Sequence, residues 1–186
     1  LETKISDLIA RVTLALDTVQ RTRPVPVVLV TIGDWNNSPL VLSNPAYSDP
    51  TKRQRVSAAI QDTNRRLVAL AAFNPNAAVF DTDLFTAQLL PRVQNGYLNV
   101  GGESIRLFGA GDEPHNGLLG DSIHAGTVMN GLLANEVMRA LNTLGFNLPL
   151  FSDTELLSAA GMMPVPPTLT PSLTPSPMPQ PTISPT

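Results

Sequence analysis

The 186-residue sequence contains no cysteine. Disulfides, thiolate nucleophiles and cysteine-based metal sites are therefore excluded. It has no apolar run of the 18 residues or so that a transmembrane helix needs. It has no excess of basic residues either, because 12 Lys and Arg stand against 15 Asp and Glu. A net charge of −3 with no basic patch argues against nucleic acid as a partner. The opening residues, LETKISDLIARV, lack the basic start and continuous apolar block of a signal peptide. The chain begins at Leu1 and enters directly into helical pattern, so an upstream segment is expected. No G-x-S-x-G elbow occurs, which disfavours an ordinary α/β-hydrolase. Histidine is scarce, with two in the chain. Any acid–base chemistry near neutral pH has few places to sit.

What is present is a hydrophobic content of 42%, enough for a globular core. Ile5, Leu8, Ile9, Val12, Leu16 and Val19 fall on one face of an amphipathic helix that the Arg21–Pro26 stretch ends. Val25–Ile32, VPVVLVTI, is apolar without alternation and suits a strand buried on both faces. Gly33–Pro39 follows with the composition of a loop, and the segment to Pro50 reads as irregular. A second helix is expected from Thr51, burying Val56, Ala59, Ile60, Thr63, Leu67 and Leu70. Its arginines (Arg53, Arg55, Arg65 and Arg66) read as a solvated face. Ala77–Asp81 reads as a short buried strand, with a short helix after it. Tyr97–Gly109 reads as a hairpin around Gly101 and Gly102. Residues 109–121 read as loop, and Thr127 as the cap of a last helix burying Val128, Leu132, Leu133, Val137, Leu141 and Leu144. Met129 and Met138 are expected in or beside the core. Alternating helix and buried strand argues a parallel α/β sandwich. Two or three strands are few for one, which again points to a part of the domain before Leu1.

From Pro164 the composition changes. Half of the 18 prolines lie there, and no charged residue follows Glu155. Residues 161–186 are therefore expected to form an extended Pro/Thr/Ser linker or tail beside a domain at 1–160. Such linkers suit secreted or cell-surface proteins, and further domains are expected beyond this one.

The chemistry concentrates in Gly120–Leu141, GDSIHAGTVMNGLLANEVMRAL. Asp121 and His124 are three residues apart just before a helix, so both side chains can reach one pocket. Asp121 can accept from one ring nitrogen of His124 and leave the other to take a proton from a serine. Asp121-Ser122-Ile123-His124, then Ala125-Gly126-Thr127 and a helix with Gly131, Leu132, Ala134 and Asn135, resembles the last block of the SGNH (GDSL-type) hydrolase superfamily. The strand VVLVTIGDW resembles the one carrying that family's Gly-x-Asn-Asp block. The likeness spans about residues 1–150. It implies a three-layer α/β/α sandwich with a parallel sheet, flavodoxin-like and incomplete at the N-terminus. It also implies ester hydrolysis with His124 as base, Asp121 as its orienting acid and no cofactor. The implied substrates are small-molecule, lipid or acylated-glycan esters.

The family's Gly-Asp-Ser nucleophile block would lie upstream of Leu1, and the fragment alone is then expected to be inactive. Gly33 stands where the family's Asn donates to the oxyanion, beside Asp34, and Asn36 or Asn37 would have to supply that donor. One such donor is worth about 3–4 kcal/mol of barrier. Trp35 either lines a substrate pocket or packs beneath the loop. Gly120-Asp121-Ser122-Ile123 also looks like a nucleophile block, but no histidine follows His124, so Ser122 reads as a bystander. His115 with Asp112 and Glu113 matches no metal-ligand spacing and reads as an exposed loop. The alternative to an enzyme is a surface-displayed binding or structural module that keeps the fold without the chemistry.

Overall fold

The computed structural model describes residues 1–162 apart from 35, 37, 38 and 123. Trp35, Asn37 and the Pro/Thr/Ser stretch from 163 onward lie outside the described residues. The chain is mixed α/β: α1 (Glu2–Thr22), β1 (Val27–Val30), α2 (Pro39–Ser43), α3 (Pro50–Ala72), β2 (Ala77–Phe80), α4 (Thr82–Leu89), β3 (Val93–Gln94), β4 (Tyr97–Val100), β5 (Glu103–Ala110), β6 (Asn116–Leu118), α5 (Thr127–Thr143) and α6 (Asp153–Ala159). One-turn 3₁₀ helices lie at Pro45–Tyr47 and Leu90–Arg92.

β1 and β2 pair in parallel, Val27 opposite Ala77 through Val30 opposite Phe80, with α3 as the crossover between them. Alternate residues face opposite ways, as the pleat requires. Val27, Leu29, Ala77 and Val79 pack in one cluster with Leu16 of α1 and Leu70 and Ala71 of α3. Val28 and Phe80 pack in the other, with Val128 and Leu132 of α5. The expected strand is therefore real but shorter, and it is not buried throughout. Among the described residues β2 is its one strand neighbour, and Val30 is 51% exposed.

Where β1 runs out, side chains take over the backbone pairing. The Thr31 N–H donates to the Phe80 carbonyl at 3.0 Å. The Ile32 N–H donates to Asn64 Oδ1 at 2.8 Å, and Asn64 Nδ2 donates to the Ile32 carbonyl at 2.9 Å. Asn64 is buried on α3 and serves Ile32 as a strand neighbour would. The same device recurs on α5, where Asn135 holds the N–H and C=O of Phe151 and Asn142 holds those of Leu148.

The second sheet runs β3-β4-β5-β6, antiparallel except for the parallel pair β5 and β6. The expected hairpin is β4–β5, and its Leu98, Val100 and Ile105 are wholly buried. The stretch read as loop contains a strand, β6, which corrects that expectation. Asn-Gly-Leu has no β-branched residue to announce it. Proximity makes it a strand: a Cβ on Gly117 would lie 2.6 Å from the Leu107 carbonyl oxygen, so only glycine lets β6 approach β5 this closely.

Two helix expectations also need correction, and one helix is unexpected. Gly126, not Thr127, occupies the N-cap of α5, and no side chain caps that end. Val56 on α3 and Leu8 and Val19 on α1 are exposed, and none of the three packs in either apolar cluster. α6 was not anticipated, although Ser152 and Glu155 form a reciprocal capping box that is visible as S-x-x-E. Asp153 of that helix accepts from Gly101 N–H and from Arg92, tying α6 to the β4–β5 turn. The arginines of α3 do lie on a solvated face, with Arg65 and Arg66 paired to Asp62 and Arg66 also to Glu2 of α1.

Replacing Asn64 with Ala removes both hydrogen bonds that hold the N–H and C=O of Ile32. Unfolding in urea should show a loss of about 2–4 kcal/mol. A loss under about 0.5 kcal/mol would mean that the amide pairing does not hold the end of β1.

Candidate active site

Asp121 and His124 sit in the connection from β6 to α5. That connection is a short closed loop. Leu118 bridges Ala125, the Leu119 N–H donates to the His124 carbonyl at 2.8 Å, and Ser122 N–H donates to the Leu119 carbonyl at 2.9 Å. Ser122 takes the left-handed conformation, φ 62°, at the tip. Beyond it the Gly126 N–H reaches the Gly117 carbonyl at 2.8 Å, and Asn130 Nδ2 holds the Ala125 carbonyl at 2.7 Å.

The loop turns Asp121 back onto His124. Asp121 Oδ1 accepts the His124 backbone N–H at 2.9 Å, and Oδ2 meets the imidazole Nδ1 in a short contact. With a carboxylate on Nδ1, the neutral ring carries its proton there and presents Nε2 as an acceptor. Nε2 makes no hydrogen bond among the described residues, and the ring is largely exposed. The hydrogen bond that the ring donates to Asp121, and then the carboxylate's charge, hold the His124 pKa above the ordinary imidazole value. The structure thus brings Asp121 and His124 into contact. Ser122, its neighbour in the loop, makes no hydrogen bond to it.

Asp34 and Asn36 hydrogen-bond with each other and with α3. Gly33, Asp34 and Asn36 are half-buried after β1. Burial pushes the Asp34 carboxyl up, but hydrogen bonds from Ser57, from the Asn36 backbone and from the Asn36 side chain outweigh it and hold its pKa below the usual value. Asp34 Oδ1 accepts the Asn36 N–H at 3.0 Å, and Asn36 Nδ2 donates to Ser57 Oγ at 3.1 Å. One amide proton of the expected oxyanion donor is therefore committed to α3. The sequence reading missed Ser57, which stands on the half-buried side of the helix one residue after Val56. No local pattern marks it, since its partners lie 21 residues away or more.

Gln61 on α3 lines two clefts, of about 300 and 420 Å³. The larger is lined by Asn64, Arg65, Val68, Asp81 and Asp83. Neither is lined by Asp121 or His124. His115 Nε2 lies 3.5 Å from Glu103 on the surface, and among the described residues no three carboxylates and imidazoles cluster as metal ligands. No described helix is long and apolar enough to cross a membrane. No family model, curated protein or solved structure matches the chain.

An NMR titration of His124 should give a midpoint above about 6.5, the ordinary imidazole value, and Asp121→Asn should return it there. A pKa raised by folding means that the pair's contribution to stability is full below the unfolded value and is lost as pH rises through the folded one. Equal midpoints in the two proteins would show that Asp121 does not hold the ring.

Proposed function

We propose that the chain is part of an SGNH-type hydrolase that cleaves esters through an acyl-enzyme, and that β1 and β2 belong to a three-layer α/β/α sandwich with a parallel sheet. The observation that carries this reading is the Asp121 carboxylate on His124 Nδ1, with Nε2 uncommitted, at the entrance to the helix packed on both strands. In this mechanism Nε2 takes the proton of a serine hydroxyl as the oxygen attacks the ester carbonyl. The same nitrogen then returns the proton to the leaving alcohol. A water, deprotonated by His124 in turn, releases the acid and restores the serine. Asp121 fixes the tautomer and stabilises the imidazolium formed at each step.

The serine belongs to a segment preceding Leu1 in a longer protein. Support comes from β1, whose second edge has no strand against it among the described residues and whose last residue, Val30, is half exposed. A parallel strand laid there would end beside Gly33 and Asp34, as carboxyl-end sites in such sheets require. The Pro/Thr/Ser stretch supports placement outside the cell or on its surface. The substrate is an ester of a small molecule, a lipid or a glycan.

The 186-residue chain should not turn over p-nitrophenyl acetate. A longer protein that includes the upstream segment should, and His124→Ala should lower its kcat on the order of 10⁴-fold or more. Turnover by the short chain that disappears with His124→Ala would refute the upstream serine. A folded longer protein without turnover would favour the binding module instead.

A further inference from the structure

Gly126 has backbone angles that any residue adopts, φ −70° and ψ 172°. Its conformation does not call for glycine, but its surroundings do. A Cβ there would lie 2.5 Å from the Asn116 carbonyl oxygen and 3.5 Å from the Gly117 carbonyl group. Both obstacles are backbone, which cannot swing aside as a side-chain end can. Asn116 and Gly117 are themselves fixed, because Gly117 lies against the Leu107 carbonyl of β5 with no room for a side chain. The Arg106 N–H also donates to the His115 carbonyl at 2.8 Å, pinning the approach to β6. Two side-chain-free contacts thus run in series, β5 to Gly117 and β6 to Gly126, and end two residues from His124.

We propose that Gly126 is a positioning residue for the Asp121–His124 pair: its bare Cα lets the chain after His124 seat against β6, and that seating gives the loop the course that brings the carboxylate onto the ring. A side chain at this position lifts Ala125 and His124 off β6. The Leu118–Ala125 bridge and the Leu119–His124 hydrogen bond then open, and Asp121 loses its fixed relation to Nδ1. Asn130 clamps the same segment from the helix side through the Ala125 carbonyl. Its loss loosens the segment without adding bulk.

The consequence for catalysis rests on the hydrolase reading, but the test reads geometry. His124 is titrated by NMR in the 186-residue chain, in Gly126→Ala, in Asn130→Ala and in Asp121→Asn, with circular dichroism checking the fold of each. Gly126→Ala should fold and lose most of the rise in midpoint that Asp121→Asn abolishes, and Asn130→Ala should lose part of it. A folded Gly126→Ala with the parent midpoint overturns the proposal. If Gly126→Ala does not fold, Asn130→Ala decides, and an unmoved midpoint there overturns it. Absence of esterase activity in the longer protein would sink the hydrolase reading and leave this result intact.

Discussion

A backbone N–H or C=O that leaves a strand or helix inside a protein must find a partner, and unmet pairs cost more than most contacts contribute. In this chain asparagine side chains meet that constraint at three places, with both ends of one amide bound to one residue's backbone. Asn64 does so at Ile32, and the position of the loop carrying Asp34 and Asn36 follows from it. Asn135 and Asn142 do so at Phe151 and Leu148. They lead the chain back along α5 to the capping box of α6 and to the buried Leu156 and Leu157. Polar side chains thus fix segments that border an apolar core.

The contact between Asp121 and His124 depends on a different use of space. β6 is three residues long and nearly featureless in sequence, yet it supports the loop that turns Asp121 onto His124. Its hold comes from close backbone approach to β5, which only glycine at 117 permits. The pair therefore stands on the edge of the second sheet and at the start of a helix packed on the first. That mounting sets Nδ1 of the ring against the carboxylate and leaves the ring largely exposed.

How much of this was legible in the sequence follows from the range of the forces involved. α1, α3, α5 and the β4–β5 hairpin were readable because their patterns repeat locally, and Asp121 with His124 because three residues separate them. β6 was not, because a strand made by a glycine's proximity to another strand leaves no propensity behind. The extent of β1 was misjudged because its apolar run suggested burial on every side, whereas Val30 and Ile32 are substantially exposed. The tie from Asn36 to Ser57 depends on which turn of α3 faces the loop, and only packing decides that. α6 is a plainer miss, since Ser152-Asp153-Thr154-Glu155 spells its own cap.

In the proposed reaction, His124 and Asp121 serve a serine supplied by another segment of a longer protein. Labelling that protein with a fluorophosphonate, which traps an activated serine, and locating the adduct by mass spectrometry tests it most directly. A single adduct is expected, on a serine preceding Leu1, and absent in His124→Ala. An adduct on Ser122, or labelling that survives loss of His124, would contradict it.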